Sequence, residues 1–103
     1  MRDAFKELDQ DLESDLEKAF TKVAKSLGWT VRKLKWEGVK GAPDRICFGP
    51  GGDLLFVELK RGRHGVLSPD QIKEIAMLRA HGQEVRVVTD LADLAEVAKR
   101  MKA

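Results

Sequence analysis

Apolar residues recur every three or four positions over the first quarter of the chain. The series is Phe5, Leu8, Leu12, Leu16, Ala19, Val23 and Leu27. This spacing is typical of one face of an amphipathic helix. Gly28 follows the last of these residues, and glycine commonly ends a helix because it adopts the left-handed conformation without strain. We therefore predict a helix from about residue 3 to Leu27.

Three segments rich in strand-forming residues follow this helix. They are TVRKLKW at 30–36, RICF at 45–48 and LLFVELK at 54–60. The first segment mixes apolar residues with cations, which is typical of a half-exposed strand. The sequence GPGGD at 49–53 separates the other two and favours a tight turn. We predict that these two strands form an antiparallel hairpin.

Residues typical of helix ends divide the second half of the chain into a helix, a strand and another helix. Ser68, Pro69 and Gln71 are typical of a helix start, because they can serve as N-cap, first-turn proline and capping-box partner. Gly82 ends that helix after His81, QEVRVV at 83–88 predicts a fourth strand, and Asp90 caps a last amphipathic helix. The predicted order is α-β-β-β-α-β-α, an α/β fold in which helices flank a mixed sheet.

Composition limits the class of protein. The 103 residues, 43% of them hydrophobic, fit one domain over residues 1–103. No apolar run approaches the roughly 20 residues of a membrane span, and the acidic N-terminus has no signal-peptide core. One cysteine, Cys47, and two histidines provide neither an internal disulfide nor a zinc cage. We expect a reducing, intracellular setting without membrane insertion.

The net charge of +2 hides an asymmetry along the chain. Residues 1–17 carry a net charge of −5, so the remaining residues carry +7. The basic residues concentrate at Arg32, Lys33, Lys35 and Lys40, and again at Lys60, Arg61 and Arg63. Such clusters are compatible with binding to a polyanion, although a solvated surface is the commoner explanation.

The predicted hairpin brings two carboxylates together. A constant register across the turn pairs Phe48 with Leu54, Ile46 with Phe56 and Asp44 with Glu58. Opposed side chains in such a pair have Cβ atoms about 4.5–5.5 Å apart, and two like charges at that distance destabilise a sheet unless a cation lies between them. Lys60 falls on the same face as Glu58 because side chains alternate along a strand. Asp44, Glu58 and Lys60 are therefore predicted to converge at one end of the sheet.

This combination of residues suits a particular reaction. Carboxylate oxygens favour Mg²⁺ or Mn²⁺, which retain waters and accept phosphate oxygens. A lysine beside such an ion can orient the attacking water, so hydrolysis of a phosphodiester fits these groups. The alternative is that Asp44, Glu58 and Lys60 lie at a solvated strand end and bind nothing.

Three motifs follow one another at a characteristic spacing: GAPDR at 41–45, FVELK at 56–60 and LSPDQ at 67–71. Together with the acidic first helix, they resemble the VRR-NUC branch of the PD-(D/E)XK nuclease superfamily over roughly residues 13–90. The resemblance implies a restriction-endonuclease-like αβββαβ core with a C-terminal helix. It also implies a Mg²⁺- or Mn²⁺-dependent endodeoxyribonuclease of the stand-alone phage or prophage type, acting in the cytoplasm of a bacterial host cell.

The resemblance also implies roles for individual residues. Asp44 and Glu58 would bind the metal through their side chains and Leu59 through its carbonyl. Lys60 would serve the attacking water, and Gln71 would lie beside the metal in addition to its capping role.

The family places one more acidic residue on the first helix, where Asp9, Glu13 and Glu17 compete. At 100° per residue, Glu13 lies on the rim of the apolar stripe and Glu17 lies further toward solvent. We therefore expect Glu13 to be the catalytic and metal-binding carboxylate. The alternative is that all three acids form a solvated helix face, favourably placed near the helix N-terminus.

The basic residues complete the predicted interface with DNA. A chain of this size offers little surface for reading base sequence, so we expect contacts to phosphates. The candidates are Arg32, Lys33, Lys35, Lys40, Arg61, Arg63 and His64. The resemblance to stand-alone members of the family implies a homodimer that cuts branched DNA such as four-way junctions. The alternatives are a nicking, flap or restriction-type nuclease on ordinary DNA, and a non-catalytic DNA-binding module with the same fold.

Overall fold

The structure, a computed structural model, describes residues 2–60 and 66–103, with side chains from residue 14 onward. The helices are α1 (Arg2–Ser26), α2 (Pro69–Ala80) and α3 (Leu91–Lys102), and the strands are β1 (Thr30–Lys33), β2 (Arg45–Phe48), β3 (Leu54–Leu59) and β4 (Val85–Val88). The predicted order of elements is confirmed. None of the helices within the described residues is long and apolar enough to cross a membrane.

The four strands form one mixed sheet in the order β1-β2-β3-β4. β2 is antiparallel to both β1 and β3, whereas β4 is parallel to β3 because α2 connects them as a crossover. The predicted hairpin register is confirmed, with Phe48 opposite Leu54 and Ile46 opposite Phe56. A short 3₁₀ turn at Pro50–Gly52 joins the two strands.

β1 is shorter than predicted. It ends at Lys33 instead of continuing to residue 36. Beyond it the chain turns so that the indole Nε1 of Trp36 donates a hydrogen bond to the Pro43 carbonyl at 2.8 Å. This bond ties the two ends of the β1–β2 connection together.

Helices cover both faces of the central strand. Leu55, Val57 and Leu59 pack into the larger core with α1 and α3, which also contains Phe20. On the opposite face, Phe56 packs against α2 in a second, smaller core. β3 is therefore buried on both sides, and Glu58, the charged residue in that strand, is only 5% exposed.

An arginine fastens the turn end of the hairpin to α3. Arg100 donates two hydrogen bonds to the Asp53 carboxylate, at 3.0 and 2.8 Å, and further bonds to Glu84. Its guanidinium also lies 5.8 Å from the ring centroid of Trp29. The hydrogen bonds from Arg100 hold the pKa of Asp53 below its ordinary value. The residues predicted to carry chemistry lie at the other end of the hairpin.

The connection that leads to Asp44 rests on the first turn of α2. Gly41 has a φ of +84°, and a Cβ atom there would lie 2.4 Å from the carbonyl carbon of Asp70 and 2.6 Å from the main-chain nitrogen of Gln71. Only glycine permits this approach, because any side chain would overlap the backbone of α2. The contact fixes the distance between the connection and α2.

We expect Gly41→Ala to destabilise the protein more than Gly38→Ala, by about 1–3 kcal/mol, because the added methyl group overpacks a backbone contact. Gly38 is a matched control, since its φ is +76° and no atom lies within 4 Å of the position of its Cβ. Strain from the positive φ is common to both variants and cancels in the comparison. Urea denaturation measures the two free energies of unfolding. Equal losses would show that the contact with α2 does not hold the connection.

Candidate active site

Asp44 and Glu58 meet where the hairpin opens, as the register predicts. The main-chain N–H of Asp44 donates a hydrogen bond to Glu58 Oε2 at 3.2 Å. The Glu58 side chain is buried in the sheet, whereas the Asp44 side chain is 42% exposed. One acidic side chain therefore lies inside the fold and the other at its surface, and the main chain of Asp44 is hydrogen-bonded to the Glu58 carboxylate.

Gln71 joins this pair from α2. Its Oε1 accepts a hydrogen bond from the Ser68 N–H at 2.8 Å, and its own N–H donates to Ser68 Oγ at 3.2 Å, so the predicted capping box is confirmed. Its Nε2 donates to Glu58 Oε1 at 3.0 Å. A single side chain thus starts the helix and orients a buried carboxylate.

The backbone at the end of β3 is held by β4. The Lys60 N–H donates to the Val88 carbonyl at 2.9 Å, and Lys60 itself is half-buried. On the other side, the hairpin register continued beyond β2 places Pro43 opposite Leu59. Proline has no N–H, so Pro43 cannot donate a ladder hydrogen bond to the Leu59 carbonyl. The Leu59 carbonyl therefore receives no hydrogen bond from Pro43.

The two carboxylate oxygens of Asp44 have different environments. Oδ2 lies 3.0 Å from Arg45 Nη1 in an ion pair. Oδ1 is buried and has no hydrogen-bond partner among the described residues. Burial raises the pKa of the Asp44 carboxyl above its ordinary value, against the opposing charge of Arg45. An unpartnered buried carboxylate oxygen is costly, and a cation would compensate it.

Arg45 also reaches the first helix. Its Nη2 lies 2.7 Å from Glu17 Oε1, which is 3.2 Å from Lys33 Nζ as well. Burial alone would raise the pKa of Glu17, but Lys33 and Arg45 outweigh it and hold this pKa below the ordinary value. Glu17 is thus an ionised partner of two cations. Glu13 lies in α1, but its side chain falls outside the described residues, so its role stays a prediction.

Comparison with known proteins assigns the chain to a family. A scan against models of protein families finds no match. A solved structure of a VRR_NUC domain, however, has a TM-score of 0.78 and 32% sequence identity, over 84% of this chain and 94% of that one. The chain belongs to the VRR-NUC family. The predicted membership of this family is thereby confirmed, together with the α/β fold.

The chain is also similar to a phage protein and to a second solved structure. The "Putative nuclease p44" of Acyrthosiphon pisum secondary endosymbiont phage 1 is 33% identical over 85 residues, or 82% of this chain and 89% of the relative. The Holliday junction resolvase Hjc of Archaeoglobus fulgidus has a TM-score of 0.53 at 23% identity, over 74% of this chain and 65% of that one. The phage relative supports a nuclease, and the resolvase shares the fold.

The donor atoms of this VRR-NUC domain fit a hard divalent cation. Within residues 14–60 and 66–103, no three His, Cys, Asp or Glu side chains lie together as a metal site. Asp44 and Glu58 would offer oxygen ligands to such an ion, and the Leu59 carbonyl would offer a third. Mg²⁺ and Mn²⁺ accept so few protein ligands because water and phosphate oxygens complete their coordination. A zinc cage would need nitrogen or sulfur ligands instead.

No role for Arg45 was predicted from the sequence, although its position in β2 indicates one. Alternation along β2 puts Arg45 on the same face as Cys47, which is buried against α1 and whose thiol pKa burial raises to about 12. Arg45 is itself only 6% exposed. A charged residue on an apolar face needs a partner of opposite charge, and the acidic helix α1 covers that face.

The predicted phosphate-binding residues are only partly brought together. Arg32, Lys33, Lys35 and Lys40 are all exposed on β1 and the connection that follows it. Lys33 is paired with Glu17, and Arg32 Nη1 donates to the Val31 carbonyl at 3.0 Å. The remaining candidates, Arg61, Arg63 and His64, lie outside the described residues.

The two functions of Gln71 can be separated by comparing Gln71→Ala with Ser68→Ala. Each variant breaks the capping box, so each is expected to lose about 1 kcal/mol of stability. Gln71→Ala alone removes the hydrogen bond to Glu58, so we expect it to weaken Mn²⁺ binding about tenfold. Isothermal titration calorimetry measures the affinity. If Ser68→Ala weakens Mn²⁺ binding equally, the position of α2 and not the amide of Gln71 supports the site.

Proposed function

We propose that this VRR-NUC domain is a metal-dependent DNA endonuclease that hydrolyses phosphodiester bonds with Mg²⁺ or Mn²⁺. The observation that carries the proposal is the buried, unpartnered Oδ1 of Asp44 beside the buried carboxylate of Glu58. Two carboxylates at opposed positions of a hairpin repel each other in the metal-free protein, and a cation bound between them would offset that repulsion.

Each residue of the proposed site has a distinct role. Asp44, Glu58 and the Leu59 carbonyl would hold the cation, whose charge would neutralise the charge that develops on the phosphoryl oxygens. Lys60 would orient the attacking water through its ammonium group. Gln71 keeps Glu58 in place by its hydrogen bond at 3.0 Å. Glu13 is proposed as the additional carboxylate from α1.

Contacts to the DNA would come from the basic residues of β1 and the connection after it, and from those that follow Lys60 in the sequence. Arg32, Lys35 and Lys40 are exposed and suited to phosphate contacts. Arg61, Arg63 and His64 follow Lys60 directly in the sequence and would contact phosphates next to the scissile bond. Lys33 would contribute less, because its ammonium group is already paired with Glu17.

The proposed substrate is branched DNA, and the proposed active form is a homodimer. The resolvase Hjc, which shares the fold, is described as acting on Holliday junctions. Symmetric cleavage of two strands requires two active sites, and one chain supplies one. The phage origin of the p44 relative supports action in the cytoplasm of a bacterial cell that carries a phage or prophage.

Lys60→Ala is expected to lower the cleavage rate about a hundredfold or more while leaving DNA affinity nearly unchanged, because one phosphate contact among several contributes little to binding. The exposed Lys35→Ala is the control and should keep most of the cleavage rate. Cleavage is measured on labelled linear, nicked, flap and junction DNA with Mg²⁺, Mn²⁺ or EDTA. Cleavage that persists in EDTA, or equal losses of binding and cleavage in Lys60→Ala, would contradict the proposed site.

We expect the protein to be a dimer at micromolar concentration by light scattering, and to bind four-way junctions more tightly than linear duplex of equal length. Binding should weaken steeply as salt rises, because phosphate contacts release counterions. Both DNAs are compared at matched salt. A monomer that cuts linear and branched DNA equally well would contradict the substrate and the assembly, and would leave a general endonuclease.

A further inference from the structure

Arg45 is clamped between two acidic residues of different elements. Its Nη1 lies 3.0 Å from Asp44 Oδ2 and donates a hydrogen bond to the Asp44 carbonyl, also at 3.0 Å. Its Nη2 lies 2.7 Å from Glu17 Oε1. With only 6% of Arg45 exposed, the guanidinium is a fixed charge inside the fold.

This clamp determines which oxygen Asp44 can offer to a cation. One guanidinium nitrogen contacts both the main chain and the carboxylate of Asp44, so rotation of that carboxylate would break an ion pair. Oδ2 is thereby committed to Arg45. Oδ1, buried and without a hydrogen-bond partner among the described residues, is the oxygen left for a metal.

The same clamp keeps Glu17 away from that metal. Oε1 of Glu17 is shared by Arg45 and Lys33, and Glu17 forms no three-carboxylate cluster with Asp44 and Glu58 in the described part of the chain. A second divalent ion bridging Asp44 and Glu17 would have to take the position of the guanidinium between Asp44 Oδ2 and Glu17 Oε1. Two cations that compete for the same carboxylates also repel each other strongly at a partly buried site.

We propose, on the basis of the metal-dependent activity inferred above, that Arg45 takes the place of a second metal ion and limits the site to one divalent cation per chain. Arg45 is a positioning residue in this proposal, because it acts on the metal site through Asp44. Glu17 is its anchor on α1 and contributes no ligand to the bound cation.

Mn²⁺ titration of the whole protein tests this proposal without any measurement of cleavage. Isothermal titration calorimetry counts the Mn²⁺ ions bound per chain. The ions that still bind to the Asp44→Asn variant are treated as surface binding and are subtracted from the count for each other variant. We expect one Asp44-dependent ion in the wild type. Glu17→Gln keeps an oxygen that can accept a hydrogen bond from Arg45. We expect this variant to bind the ion with an affinity within about threefold of the wild type, a smaller loss than the roughly tenfold typical when a residue that supports a metal ligand is removed.

Removal of the guanidinium should create the missing site. In Arg45→Met, Asp44 and Glu17 lose their shared cation, so we expect two Asp44-dependent Mn²⁺ ions per chain. The double variant Arg45→Met/Glu17→Gln should return to one ion, because the second ion needs the Glu17 carboxylate. Lys33→Met is the control, because Lys33 is the other cation paired with Glu17. The Lys33 side chain is 77% exposed, so we expect this variant to bind one ion.

The outcomes separate this inference from the proposed function. Two Asp44-dependent ions in the wild type, or a loss of about tenfold or more in Glu17→Gln, would overturn the role of Arg45 and leave a metal-dependent nuclease intact. A single ion in correctly folded Arg45→Met would also overturn it. No Asp44-dependent ion in the wild type would refute the metal site itself. Because Glu17→Gln preserves the contact with Arg45, it can still overturn the inference, by showing that Glu17 is a metal ligand, even if Arg45→Met does not fold.

Discussion

The register of the β2–β3 hairpin is the constraint on which the rest of the site depends. With Phe48 opposite Leu54, the open end of the hairpin brings the Asp44 N–H to the Glu58 carboxylate. A slip by one residue would exchange the two faces of β2 and move Arg45 away from α1. The turn end is secured independently by the hydrogen bonds between Asp53 and Arg100. Tertiary contacts therefore fix the hairpin at one end, and the candidate site lies at the other.

Burial of charge is the second feature that shapes this end of the sheet. Glu58 and Arg45 are both nearly inaccessible, and each is held by specific polar partners: Gln71 and the Asp44 N–H for Glu58, and Asp44 with Glu17 for Arg45. A buried charge is tolerated only when such partners compensate it. This compensation does not extend to Asp44 Oδ1, which is buried and accepts no hydrogen bond from the described residues. The cation proposed above would bind at this oxygen and offset the cost of burying it.

The crossover helix α2 links stability to the site. Its first turn supports the connection before Asp44 through the close contact at Gly41, and the capping residue Gln71 reaches Glu58 from the same turn. The two acids are therefore positioned by one helix terminus as well as by the hairpin. This explains why the capping box and the acidic pair belong to a single structural unit, although they lie in separate segments of the sequence. In this VRR-NUC domain, the first turn of α2 therefore also contacts Glu58 in the candidate site.

The sequence by itself determined the elements and the meeting of Asp44 with Glu58. Helical periodicity, the capping box of Ser68 and Gln71, and the length of the hairpin turn are all encoded by neighbouring residues, so local patterns were sufficient to predict them. The link from Arg45 to Glu17 was decided only by the tertiary structure. Helix phase assigns an angle to Glu17 around α1, but it contains no information on where β2 places a long guanidinium against that helix. Pairing between side chains of distant elements depends on how α1 docks on the sheet, and that docking results from the packing of the whole core.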